Sequence, residues 1–282
     1  MSHIRYFFLL SRPRFWSYLA GPFSIGYLSA TDTLVGFSFP EFFGWLLYFL
    51  IPANIILYGL NDISDEETDQ INNKKHTKEV RVSAKNRQLV KYVVFLTFFI
   101  SLIGGIFFAK TMLARIVLVL FFCLSYSYSL PPFRFKAKPF IDSLSNSLYI
   151  LPGIFGYTLI TSQLPPLWVM VAGASWTFSM HLFSAVPDIA SDKKSGILTT
   201  AVFLGKKPAL LLCSVAWACS SLLFLLNGIS LVALLSLIYV ILPLFTYRYH
   251  NSVDRIYWWF PYINITFGAL LFFSVLFEKV SF

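Results

Sequence analysis

Charge is scarce in this sequence. Asp, Glu, Lys and Arg make up 12% of its 282 residues, about half the ~25% of an ordinary soluble domain. That shortage excludes a well-solvated globular surface. Cysteine is rare as well. Cys123, Cys213 and Cys219 each fall inside an apolar run, which excludes a disulfide framework and reads as three small buried side chains. Acid is scarcer than base, with 13 Asp and Glu against 22 Lys and Arg. The net charge of +9 does not point to nucleic acid. The bases are spread over short loops, and neither a basic helix nor an aromatic-basic single-strand module is present.

What is abundant is apolar: 57% of residues are hydrophobic and 19% aromatic, with a mean hydropathy of +0.70. Long, nearly uncharged runs read as membrane-spanning helices. The pattern predicts an all-α integral membrane protein in one domain over 1–282, with nine transmembrane spans near 15–37, 42–62, 90–109, 113–130, 141–161, 166–187, 208–226, 229–247 and 256–277. Arg5, Arg12 and Arg14 precede the first run, as in a signal peptide. That run continues too far and more spans follow, so it is read as a retained helix.

The bases sort by side. Of the 22 Lys and Arg, all but Lys110, Arg115 and Lys279 fall at the N-terminus or in the loops after even-numbered spans. Excess Lys and Arg mark the cytoplasmic side. The reading is therefore a multi-pass protein of the cell (inner) membrane, with a cytoplasmic N-terminus. Pro22, Pro52, Pro152 and Pro243 are expected to kink helices whose neighbours satisfy the freed carbonyls. Gly104, Gly105, Gly153, Gly156 and Gly173 are expected where helices pack closely. Trp16, Trp45, Trp168, Trp176, Trp258 and Trp259 fall near span ends, where an interfacial belt is the simple explanation.

At the predicted cytoplasmic end of the second span the chain reads N-D-x-x-D-x-x-x-D: Asn61, Asp62, Asp65 and Asp69. On a helix these spacings put the three carboxylates in one stripe, where like charges repel. A solvated acidic cap is the bland reading. A divalent cation would remove the repulsion, and dense hard oxygens suit Mg²⁺.

A second acidic pair, Asp188 and Asp192, stands at the equivalent end of the sixth span. His181 and Ser184 precede it on the same helical face; His181 is read as a polar residue hydrogen-bonded inside the bundle. Carboxylates at a membrane edge are expensive and normally serve a site. Two like-oriented acidic clusters four spans apart predict two parallel four-helix halves plus one helix, around a central cavity. Five aspartates, Mg²⁺ and a diphosphate still leave net negative charge, which calls for cations. Lys74, Lys78, Lys193, Lys136 and Arg12 stand in the flanking loops. Together these residues read as a diphosphate clamp.

The two acidic motifs, and Tyr128-Ser-Leu-Pro-Pro-Phe-Arg-Phe-Lys136 after the fourth span, resemble the signatures of the UbiA superfamily of intramembrane prenyltransferases. The resemblance covers essentially the whole chain. It implies a Mg²⁺-dependent transfer of a prenyl group from an allylic diphosphate, dimethylallyl diphosphate being expected, to a lipophilic acceptor in the bilayer. Asp62, Asp65, Asp69, Asp188 and Asp192 would be the catalytic metal ligands, with Asn61 beside them. Arg12, Lys74, Lys78, Tyr128, Lys136 and Lys193 would contact the diphosphate. Lys74–Arg81 departs from the aromatic-acceptor members and, together with Ser11–Pro22, is similar to the lycopene elongase branch, which implies a carotenoid acceptor. A quinone-precursor ring is the alternative acceptor. A cation-coupled transporter fits less well, since its ion sites lie near the bilayer midplane. A membrane alcohol phosphotransferase lacks its D-G-x-x-A-R segment here.

Overall fold

The computed structural model describes residues 3–32, 37–65, 86–249 and 253–280. Every regular element among them is helical. In chain order the α-helices are α1 (His3–Leu10), α2 (Ser17–Ala30), α3 (Phe39–Leu50), α4 (Pro52–Ser64), α5 (Arg87–Phe108), α6 (Met112–Ser129) and α7 (Ile141–Leu144). Then come α8 (Leu151–Thr161), α9 (Leu167–Ala185), α10 (Ile189–Lys194), α11 (Thr200–Leu204), α12 (Lys206–Leu226), α13 (Ser230–Arg248) and α14 (Val253–Val280). Among the described residues, seven helical stretches are long and apolar enough to cross a membrane.

The expected spans meet three local departures. The run 42–62 is split, because Pro52 has no N–H and its ring disrupts the preceding turn. Asn54 repairs the junction, its amide donating to the carbonyls of Phe49 at 2.6 Å and Leu50 at 3.0 Å. The run 141–161 is also broken, with a 3₁₀ segment, Ser145–Ile150, between α7 and α8. There the Ser145 hydroxyl and the Asn146 amide donate to the Asp142 carbonyl at 3.1 and 2.6 Å. Such local side-chain bonds compete with the helical ladder. Among the described residues of the run 15–37, the α-helix is the 14 residues of α2.

The chain forms two compact units. The first comprises Met1–Arg134, Leu151–Leu164 and Phe272–Phe282; the second comprises Phe135–Ile150 and Pro165–Leu271. In the first, α2 and α8 meet backbone to backbone. A Cβ on Gly26 would lie 2.0 Å from the Gly153 carbonyl oxygen, and one on Gly156 would lie 2.8 Å from the Phe23 carbonyl oxygen. Small residues permit this approach in lipid, where packing rather than hydrophobicity joins helices. Gly104 has no such role, with only Phe108 nearby at 4.0 Å. Phe23, Phe49, Phe121 and Phe155 fill the interior of this unit, and Trp45 packs edge-on against Phe155 with ring centres 4.5 Å apart. Trp45 is thus a packing residue rather than part of a belt.

In the second unit α9, α12 and α13 pack together. Phe183, Trp217, Tyr239 and Phe260 form its aromatic interior. Hydroxyls join the helices: Ser179 donates to the Cys213 carbonyl, Ser214 to the Val240 carbonyl, and Ser236 to the Ser221 hydroxyl. Cys213 is buried as expected, but Cys123 and Cys219 are exposed on outward helix faces. That correction has a simple cause: an apolar run that faces lipid has no need to bury its small residues.

Candidate active site

The first acidic motif closes α4. Asn61 and Asp62 lie in its last turn, and Asp65 is the C-cap, its N–H donating to the Asn61 carbonyl at 3.0 Å. The helix ends before the predicted stripe is complete. Asp69, Lys74 and Lys78 lie outside the described residues. Carboxylates are unfavourable at a helix C-terminus, where the carbonyls already concentrate negative charge. Asp62 is nonetheless only 2% exposed.

A cation compensates it. One guanidinium nitrogen of Arg12, Nη2, lies 2.6 Å from Asp62 Oδ1. The same guanidinium lies over the Tyr58 ring at 4.6 Å. Arg12 occupies left-handed backbone, φ 50°, immediately before Pro13. For a non-glycine residue that conformation costs on the order of 1–3 kcal/mol and persists only where the surroundings enforce it. The ion pair and the ring supply that enforcement. Tyr6 packs nearby, and its phenol is pushed above its ordinary value first by burial and then by the charge of Asp62. Arg12, read from the sequence as a diphosphate contact, is therefore a partner of Asp62 in this structure. Tyr128, half-buried in the last turn of α6, belongs to the same unit.

The second motif lies in the second unit. The helix does not run straight through it. α9 stops at Ala185, and Val186–Asp188 form a 3₁₀ turn around Pro187 before α10 begins. Asp188 and Asp192 are both partly exposed, Lys193 is exposed, and Lys136 is buried. The single helical face expected for His181, Ser184, Asp188 and Asp192 is interrupted at the proline, which cannot continue the α-ladder.

The sequence reading passed over Asp142. Its side chain is completely buried. It accepts from the Thr200 N–H at 2.8 Å, from the Thr200 hydroxyl and from the Ser143 N–H at 2.8 Å. His181 Nε2 lies 3.7 Å from the same carboxylate, close enough for charge attraction but beyond hydrogen-bond reach. One signal was available: Asp142 is the lone acid in an otherwise uncharged run.

Among the described residues no three His, Cys, Asp or Glu side chains stand together as a ready metal site. The donors present are nonetheless hard oxygens. Mg²⁺ typically takes only one or two carboxylates, filling its octahedron with waters and substrate phosphates. Carboxylates of either segment would suit that ion in this way.

Comparison with known proteins gives a consistent picture. Residues 19–276 match the UbiA prenyltransferase family. A lycopene elongase/hydratase of Halobacterium salinarum is 41% identical, over 94% of this chain and 95% of its own. That of Haloferax volcanii is 38% identical, over 98% and 90%. A solved UbiA homolog from Archaeoglobus fulgidus, bound to GPP and Mg²⁺, shares the fold with a TM-score of 0.70. It is 22% identical and covers 95% of this chain and 98% of that one. With a family match over most of its length, a shared fold and relatives aligned nearly end to end, this chain belongs to the UbiA prenyltransferase family.

Proposed function

We propose that this protein transfers a dimethylallyl group from its diphosphate to a carotenoid acceptor such as lycopene. The observation that carries the reading is the buried Asp62–Arg12 pair at the end of an apolar helix. It is a carboxylate held in a low-dielectric setting by a cation that can change partners. Support for the donor comes from solved family members bound to GPP or DMAPP with Mg²⁺. Support for the acceptor comes from the relatives described as lycopene elongase/hydratase.

Asp62, Asp65 and Asp69, with Asn61, and Asp188 and Asp192 would hold Mg²⁺ against the diphosphate. Bound there, Mg²⁺ would supply Lewis-acid stabilisation of the charge that develops on the leaving oxygens. Arg12, Lys74, Lys78, Tyr128, Lys136 and Lys193 would orient the diphosphate and add positive charge around it. The allylic C–O bond breaks with its electron pair leaving on diphosphate. An acceptor double bond gives its π pair to the allylic carbon, forming the new C–C bond. Loss of a proton from the resulting cation restores an alkene. Aromatic ring faces attract such a cation.

The same proposal includes the architecture: nine spans, in two parallel four-helix halves plus one, around a central cavity in one functional domain. The bias of Lys and Arg supports a cytoplasmic N-terminus and cytoplasmic acidic clusters in the cell (inner) membrane. Membranes carrying the protein, supplied with labelled dimethylallyl diphosphate, Mg²⁺ and lycopene, are expected to give a carotenoid heavier by one or two C5 units. Product from a quinone-precursor ring and none from lycopene would overturn the acceptor. Label in neither would overturn the reaction.

A further inference from the structure

The carboxylate of Asp142 is hydrogen-bonded to the downstream flank of the second acidic motif and lies near the upstream one. Upstream, His181 lies seven residues before Asp188, and its Nε2 is 3.7 Å from Asp142 Oδ2. Downstream, Thr200 lies eight residues after Asp192, and both its N–H and its hydroxyl donate to Asp142. Between these anchors the chain is short and internally tied. The Ile197 N–H donates to the Asp192 carbonyl at 2.9 Å, and the Ser195 N–H to the Ser191 carbonyl at 3.0 Å. Gly196 turns the chain through left-handed backbone, φ 68°, and α10 packs on α11. Thr199 caps α11 by accepting from the Val202 N–H at 3.2 Å. Thr200 also accepts from the Phe140 N–H at 2.6 Å, which ties the anchor back to the segment that carries Asp142.

An ionised carboxylate is a costly way to join two pieces of a fold. Burying one costs several kcal/mol unless hydrogen bonds and opposite charge offset it. Packed apolar side chains would do the same structural work at less cost. What a multiply bonded carboxylate adds is fixed position, and residues that bind metal and substrate must be held to within about 0.5 Å.

We infer that Asp142 is a positioning residue, fixing the segment that bears Asp188 and Asp192 by holding Thr200 at its downstream end while His181 lies beside it at the upstream end. This rests on the reading that Asp188 and Asp192 bind a diphosphate through Mg²⁺. Residues that orient metal-binding groups typically change affinity 10–100-fold when altered.

The test uses the full chain purified in detergent, with Asp142→Asn, Thr200→Val and Thr200→Ser. Calorimetric titration measures binding of inorganic pyrophosphate in the presence of Mg²⁺. Turnover gives separate KM values for dimethylallyl diphosphate and for lycopene, and thermal unfolding gives Tm. Thr200→Val and Asp142→Asn are expected to weaken Mg²⁺–pyrophosphate binding about tenfold and to raise the diphosphate KM, leaving the lycopene KM unchanged. Thr200→Ser keeps the hydroxyl and is expected to bind like wild type. Should Asp142→Asn fail to fold, the two Thr200 variants decide. A Thr200→Val protein that loses Tm yet binds Mg²⁺–pyrophosphate like wild type overturns the inference alone. Wild-type protein that binds no Mg²⁺–pyrophosphate overturns the proposed function and this inference with it.

Discussion

Asp62, a member of the first acidic motif, and Asp142, beside the second, are both buried carboxylates, yet they are held in opposite ways. Asp62 has a long side chain as its partner, the Arg12 guanidinium, itself resting on an aromatic ring. Asp142 is held by short-range groups, the Thr200 N–H and hydroxyl and its own neighbour's N–H. Arginine can leave a carboxylate by rotating about its own bonds, whereas a backbone N–H leaves only if the chain moves. Asp62 can therefore lose its partner without any movement of the chain, and Asp142 cannot. Function and positioning can therefore be read from how a charge is neutralised, not only from where it sits.

The sharpest way to break this comparison is to remove the exchangeable carboxylate. Asp62→Asn is expected to lower kcat by at least about 100-fold with dimethylallyl diphosphate, measured by product mass. Chelating divalent cations from wild-type protein is expected to abolish turnover, with recovery on adding Mg²⁺. A smaller effect is expected from the partner. Arg12→Ala removes the guanidinium beside buried Asp62, which is expected to cost up to roughly 3 kcal/mol of stability, read as a lowered Tm. Arg12→Lys keeps the charge but loses the planar stacking on Tyr58, and its loss should fall between wild type and Arg12→Ala. If both Arg12 variants matched wild type in Tm, Asp62 would not depend on that pair.

A weaker effect should come from Lys193→Ala. Lys193 is exposed on α10, where screening limits a single charge to about 1 kcal/mol or less. The expected result is a several-fold rise in the diphosphate KM at most, larger at low salt. The smallest effect concerns Tyr6. Its phenol titrates above the ordinary value of 10.0, chiefly because of burial and then because of Asp62. The neutral form is the one the fold favours, so its contribution is full below pH 10 and is lost as pH rises through the folded value. Tyr6→Phe should therefore reduce the fall in Tm above pH 10 and leave the neutral-pH profile unchanged.

The legible part of this protein was its chemistry and class. Apolar runs of bilayer length, few charges and loops of one sign lead to a membrane-embedded helical protein, because a chain in lipid must bond its backbone within each helix. The acids at 61–69 and at 188 and 192 declared themselves by spacing and by their cost near lipid. What could not be read was local interruption and distant pairing. The break at Pro52 is repaired by Asn54, and the 3₁₀ turn at Pro187 displaces Asp188 from the helical face of His181. Spacing rules assume that a helix continues.

Sequence by itself determined which acidic and basic side chains this protein can bring to a site, since residue type and period settle charge, hardness and helix formation. Tertiary structure alone decided that Arg12 answers Asp62 across fifty residues, and that Asp142 answers Thr200 across fifty-eight. Partners so far apart in the chain meet only when helices pack. That packing rests on backbone contacts such as Gly26 against Gly153, whose geometry no local pattern records.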